Sequence, residues 1–120
     1  MTVKAEIKEK MEKLPITVVC LLYLASKYPD WVYYKEIAEF VSDVKGCDDR
    51  IVINELKQYV YKRKRLAYYK SYGKKAIFYK IREKGLKWLR YKMLVEGEIP
   101  VELKVPAIDL VRVKVGGREI

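Results

Sequence analysis

The chain has no histidine, only 2 cysteines and no long uncharged apolar run, and each absence removes a class of function. Histidine is the side chain most used for proton transfer near neutral pH and for binding zinc or copper. Cys20 and Cys47 lack the CxxC spacing of a zinc site and are too few for a disulfide scaffold. Cys20 reads as a small core residue within an apolar helix and Cys47 as a loop residue, either free or bridged to each other. The run Ile16 to Ser26 is about half of the ~20 residues that span a bilayer, so it reads as a buried helix. Met1, Thr2, Val3 and Lys4 open no apolar segment ending in a small-residue cleavage site, so the chain is expected to stay in the cytoplasm. There is no nucleophile elbow, no phosphate-cradling glycine loop and no strand-embedded carboxylate pair. Asp48 and Asp49 are adjacent and read as helix caps. The expectation is a protein that is not an enzyme and holds no metal, cofactor or evident small-molecule ligand.

What the chain does have is positive charge in one place. Residues 47–95 carry 15 basic against 4 acidic side chains, while the segments before and after are close to neutral; the net charge is +10. Charge concentrated in this way makes a positive face, and the commonest polyanion in a cell is nucleic acid. At 120 residues and 51% hydrophobic composition, the chain suits one core with arms.

Thr2 is placed to cap a first helix with apolar residues at Val3, Ile7, Met11 and Leu14. Pro15 starts a second helix, apolar all round, which needs a second cover from the first helix, the C-terminal arm or another subunit. Trp31 to Tyr33 has strand character, and Tyr34 to Val41 returns to helical spacing. A loop is expected over Ser42 to Cys47, then a helix from Asp49 to about Lys62 that buries Ile53, Leu56 and Val60. Two β-type runs, Leu66 to Lys70 and Ala76 to Ile81, flank Ser71 to Lys75 as a hairpin. A last helix covers about Glu83 to Val95 and buries Leu86, Leu89 and Met93. From Ile99 onward apolar and polar residues alternate, which predicts half-buried strands broken at Pro106.

The order helix, short strand, helix, turn, helix, hairpin resembles the winged helix-turn-helix domain. KEIAEFV (Lys35 to Val41) looks like the first helix of the helix-turn-helix pair. INELKQYVYKRKRLAYY (Ile53 to Tyr69) looks like a recognition helix leading into a wing strand. YKIREKGLKWL (Tyr79 to Leu89) is similar to the closing wing strand and following helix of many archaeal and bacterial transcription regulators. The resemblance, of the archaeal or archaeal-virus type, covers residues 15–95; residues 1–14 precede it as a helix and 96–120 follow as a β-type arm. It implies an α+β, predominantly helical fold and a DNA-binding transcription regulator, with the third helix in the major groove and the wing on the backbone or in the minor groove.

The residue types agree with that chemistry. Arg pairs with guanine edges and Asn or Gln with adenine; Arg50, Asn54 and Gln58 are spaced four apart on one stripe of the third helix. Lys57 and Tyr61 flank it within reach of phosphate. The alternative for this stripe is a solvated polar face. Lys74 and Lys75, beside Tyr72, offer ammonium groups on a flexible turn, for the DNA backbone or as guards against edge-to-edge pairing. Lys62, Arg63, Lys64 and Arg65 serve phosphate or the negative end of the helix, and Lys70 extends the basic set along the wing. Six of the 11 tyrosines lie between Tyr59 and Tyr79. Tyr69 and Tyr72 are the candidates for stacking on bases, and Tyr79 is expected to face the core. The expected partner is double-stranded DNA bound by a homodimer, the arm serving as dimer surface or as a cover within one subunit. The competing function is a winged-helix adaptor whose third helix meets an acidic protein; an RNA role is a third possibility.

Overall fold

The computed structural model describes residues 5–120. Thr2 and Val3, expected to cap and line the first helix, lie outside the described residues. Helix α1 (Ala5–Glu12) ends against α3: the Lys45 ammonium donates to the Glu12 carbonyl and, at 2.6 Å, to that of Leu14. A cation there satisfies carbonyls that have no partner within α1.

Helix α2 (Ile16–Ser26) is the hub, with Val18 to Leu22, Leu24 and Ala25 all buried. No charged side chain interrupts it, so it is stable only when enclosed. Helices α3 (Tyr34–Lys45), α4 (Asp49–Glu55) and α5 (Glu83–Leu94) and the sheet pack around it. Burial pushes the Cys20 thiol well above its ordinary pKa. Both cysteines are free, Cys20 buried and Cys47 half-buried.

Three strands form one antiparallel sheet in the order β1-β3-β2: β1 (Val32–Tyr33), β2 (Ala67–Ser71) and β3 (Ile77–Ile81). The hairpin pairs Ala67 with Ile81 and Ser71 with Ile77, close to the expected boundaries. Its inner face carries Ala67, Tyr79 and Ile81 into the core, and Tyr79 faces inward as its spacing predicted. In α5, Leu86, Leu89 and Met93 are buried as expected.

Three expectations are corrected. Helix α3 runs through the predicted loop Ser42 to Cys47 as far as Lys45, where Gly46 (φ +65°) turns the chain out of the helix. Val44 is buried and continues the inner stripe of Ile37, Ala38 and Val41, which makes the longer helix favourable. The third helix is not α-helical throughout, because α4 continues without a break into a π-helical segment, Leu56–Arg63. Its buried residues are Val52, Leu56 and Val60, with Ile53 only half-buried. A repeat of four exceeds the ~3.6-residue α turn, and widening the helix keeps Val60 on the core. The arm is not a pair of strands. Val101–Leu103 and Pro106–Leu110 are short 3₁₀ helices, and only the two-residue strands β4 (Lys114–Val115) and β5 (Arg118–Glu119) pair. Pro100 and Pro106 donate no backbone hydrogen bond, and the alternating residues of 99–105 pair with no neighbouring strand.

The arm nevertheless buries its apolar residues: Ile99, Leu103, Ala107, Ile108 and Val111 join the core. The 3₁₀ turns lie against α1, α2 and α5. Arg90 holds the arm down, its guanidinium donating to the carbonyls of Ile120 (2.9 Å) and Ile108 (3.3 Å) and pairing with Asp109. The second cover of α2 therefore includes the same chain's own arm.

Candidate nucleic-acid interface

The turn between α3 and α4 comprises only Gly46, Cys47 and Asp48. Asp48 caps α4: its Oδ1 accepts the Arg50 backbone N–H at 2.8 Å, and its Oδ2 faces the Arg50 guanidinium at 3.4 Å. The N–H bond, seconded by the guanidinium, holds its carboxyl below the usual carboxylate range. On the inner side, Thr17 Oγ1 donates to Glu55 Oε1 at 2.6 Å, which fixes the rotation of α4 against α2.

With Val52, Leu56 and Val60 turned inward, the outer side of the helix presents Arg50, Asn54, Lys57 and Gln58, all exposed. Among the described residues, Asn54, Lys57 and Gln58 make no side-chain hydrogen bond or ion pair, and Arg50 pairs only with Asp48. A row of polar groups this free of internal partners is available to a ligand. Ile51 stands among them, 51% exposed.

Past the stripe, the basic cluster divides. Lys62 is exposed, while Arg63 and Lys64 lie over the Tyr59 ring at 5.8 and 5.7 Å from its centroid. Arg65 closes the helix in the left-handed region (φ +54°), and the Leu66 N–H reaches back to the Val60 carbonyl at 2.9 Å. Glycine takes that conformation without strain, whereas a side chain there costs about 1 kcal/mol or more. Arg65→Gly is expected to leave stability unchanged or raise it by up to about 1 kcal/mol, the relief being partly offset by greater freedom of the unfolded chain. Urea unfolding measures this.

Tyr61, expected to flank the stripe, is half-buried against the core. Its ring is stacked on Tyr69 (centroids 4.8 Å, 19° between planes), and Tyr69 in turn meets Tyr79 edge-on at 5.6 Å. Tyr69, expected as a stacking surface for bases, is likewise committed to this inner row. Aromatic pairing of this kind stabilises by about 0.5–1.5 kcal/mol beyond burial, which explains why these rings turn inward.

The hairpin tip keeps the expected groups outside. Tyr72 is 67% exposed, and Lys74 and Lys75 are exposed beside Gly73 (φ +91°). The Tyr33 hydroxyl donates to the Lys75 carbonyl at 3.0 Å, tying the tip to β1. Lys70 is half-buried, its ammonium 4.6 Å from the Trp31 ring centroid and 5.2 Å from that of Tyr72.

The outer face of the sheet carries groups that the sequence reading passed over: Trp31, Tyr68, Phe78, Lys80 and Arg82. Strand alternation was a sufficient signal, because once Tyr69 and Tyr79 face inward, Tyr68, Phe78 and Lys80 must face outward. Among the described residues no group of three or more His, Cys, Asp or Glu side chains is gathered, and no helix is long and apolar enough to cross a membrane. Comparisons with family models, with curated proteins and with solved structures each return no match.

Proposed function

We propose that the chain is a winged helix-turn-helix protein that binds double-stranded DNA sequence-specifically as a cytoplasmic transcription regulator. One observation carries the reading: the outer side of α4 holds an exposed row of Arg50, Asn54, Lys57 and Gln58, with almost no internal partners. The three-residue turn before α4, the hairpin after it and the β1-β3-β2 strand order support the winged-helix assignment. Arg50, Asn54 and Gln58 read base edges in the major groove. Lys57, Lys62, Arg63, Lys64 and Arg65 neutralise phosphates, and Lys74 and Lys75 on the wing do the same on the backbone or in the minor groove. Two copies bind a two-fold symmetric site.

Asn54→Ala is the test of reading as distinct from attraction. Selection of bound fragments from random duplex DNA, run on both proteins, is expected to show the base preference relaxed at one position, with about 1–3 kcal/mol of discrimination lost there. Equal weakening on every sequence would remove Asn54 as a reader.

A second reading rests on Ile51. An apolar side chain 51% exposed next to Arg50 at the N-terminal end of the polar row suits an acidic protein partner, as it also suits a thymine methyl group. Bulk duplex DNA separates them: it competes with a DNA ligand and leaves a protein adaptor's complex intact.

A further inference from the structure

We propose that the outer face of the β1-β3-β2 sheet is a second binding surface, for single-stranded DNA, formed by Trp31, Tyr68, Tyr72, Lys70, Lys80 and Arg82. The choice of DNA over RNA rests on the duplex-DNA reading above; the surface itself does not.

The rings are open to solvent: Trp31 is 36% exposed, Tyr68 47% and Tyr72 67%. A core-facing sheet surface has no need of large aromatics on its wet side, and three of them together form a platform. Trp31 and Tyr68 sit with centroids 6.4 Å apart and planes tilted by 49°.

The cations are interleaved with the rings. Lys70 and Lys80 lie 4.6 and 5.3 Å from the Trp31 centroid, and Lys80 and Arg82 lie 5.7 and 5.1 Å from that of Tyr68. Among the described residues, none of these three cations pairs with a carboxylate. Each ring is therefore held beside a positive charge that has no internal counterion, and an incoming phosphate supplies one.

The combination selects the occupant. In a duplex the base faces are sealed by their neighbours, so a duplex would use the ammonium and guanidinium groups and gain nothing from the rings. An unpaired strand offers both, bases to the rings and phosphates to the cations, with little sequence preference. An acidic peptide offers carboxylates but no flat π-faces.

The surface is also continuous with the basic end of the third helix. Arg82 Nη1 donates to the Arg65 carbonyl at 3.2 Å, so the positive track runs from Arg63, Lys64 and Arg65 onto the sheet. A strand separated from a duplex bound on α4 has a charged path to follow.

The experiment uses the full chain, a labelled oligothymidylate of about twelve nucleotides and a labelled duplex, at one fixed salt concentration. In a Trp88→Phe background Trp31 is the sole tryptophan, and the oligothymidylate is expected to quench its emission. Trp31→Ala with Tyr68→Ala is expected to weaken oligothymidylate binding at least tenfold and duplex binding less than about twofold. Trp31→Phe with Tyr68→Phe, which keeps the rings, is expected to restore single-strand affinity and guards against a folding defect in the alanine pair. Asn54→Ala with Gln58→Ala should show the reverse selectivity. The proposal is overturned if the oligothymidylate fails to bind or to quench Trp31, if the ring variant loses both ligands equally, if oligouridylate binds more tightly than oligothymidylate, or if polyglutamate displaces the strand as well as unlabelled oligothymidylate does. Loss of duplex binding alone would instead remove the major-groove reading and leave the sheet surface standing.

Discussion

Gly85→Ala is expected to destabilise the protein by about 2 kcal/mol or more, although alanine is the better helix former. Gly85 is buried in the first turn of α5, where a Cβ would collide with the Leu66 carbonyl oxygen and stand 2.8 Å from Ile81 Cγ1. Neither neighbour yields easily. The Leu66 carbonyl accepts the Arg82 N–H at 3.0 Å, so moving it breaks a backbone bond at the base of the hairpin. Ile81 is fully buried in the core. Overpacking of this kind costs about 1–3 kcal/mol, more against backbone, while the propensity gain of alanine over glycine is at most about 1 kcal/mol. Urea or thermal unfolding of the purified variant measures the balance. Stability equal to that of the parent would show that α5 is free to move away from the hairpin.

The largest expected effect on binding comes from charge. Replacing Lys62, Arg63, Lys74 and Lys75 together by alanine is expected to weaken duplex affinity about a thousandfold at ~0.1 M salt, whatever the sequence. If about six cations neutralise phosphates, log affinity falls against log salt with a slope near −5, and removing four contacts should bring the slope to roughly −2. Affinity measured over a range of salt tests both numbers at once. An unchanged slope would mean that these side chains merely solvate the helix end and the hairpin tip, as Arg63 and Lys64 partly do by lying over Tyr59. The four side chains are exposed, so stability should change little.

Much of the architecture was legible from spacing. Apolar residues recurring every three or four positions marked α1 and α5, and an uncharged apolar run after Pro15 marked α2. Residue alternation around a glycine-containing turn marked the hairpin to within a residue or so. The misses have particular causes. Helix α3 was cut at Val41 because Ser42 and Asp43 look like loop residues; Val44 on the inner stripe and Gly46 beyond the last turn were the signals that it continues. The π-helical segment has no familiar sequence mark, yet the four-residue repeat Val52, Leu56, Val60 is the stress that widening relieves. The arm alternated like a strand, but alternation states only which side chains are buried, and a strand also needs a neighbour to bond.

The candidate site was legible in part for the same reason. Charge and residue type pointed to Arg50, Asn54, Lys57 and Gln58, and these are exposed. They could not show that Tyr61 and Tyr69 prefer each other to solvent, because that depends on helix and strand meeting across 8 residues of chain. Nor did they single out Trp31, which reaches the sheet only through the pairing of Val32 with Tyr79.

The enclosure of α2 bears on assembly. Because the turn that buries Ala107 and Ile108 packs on the hub from within the same polypeptide, that cover of the helix makes no demand on a second copy. If two copies do bind an operator as proposed, their association is an equilibrium separate from folding, tunable by concentration or by the spacing of half-sites, and a lone copy on half an operator is expected to be fully folded.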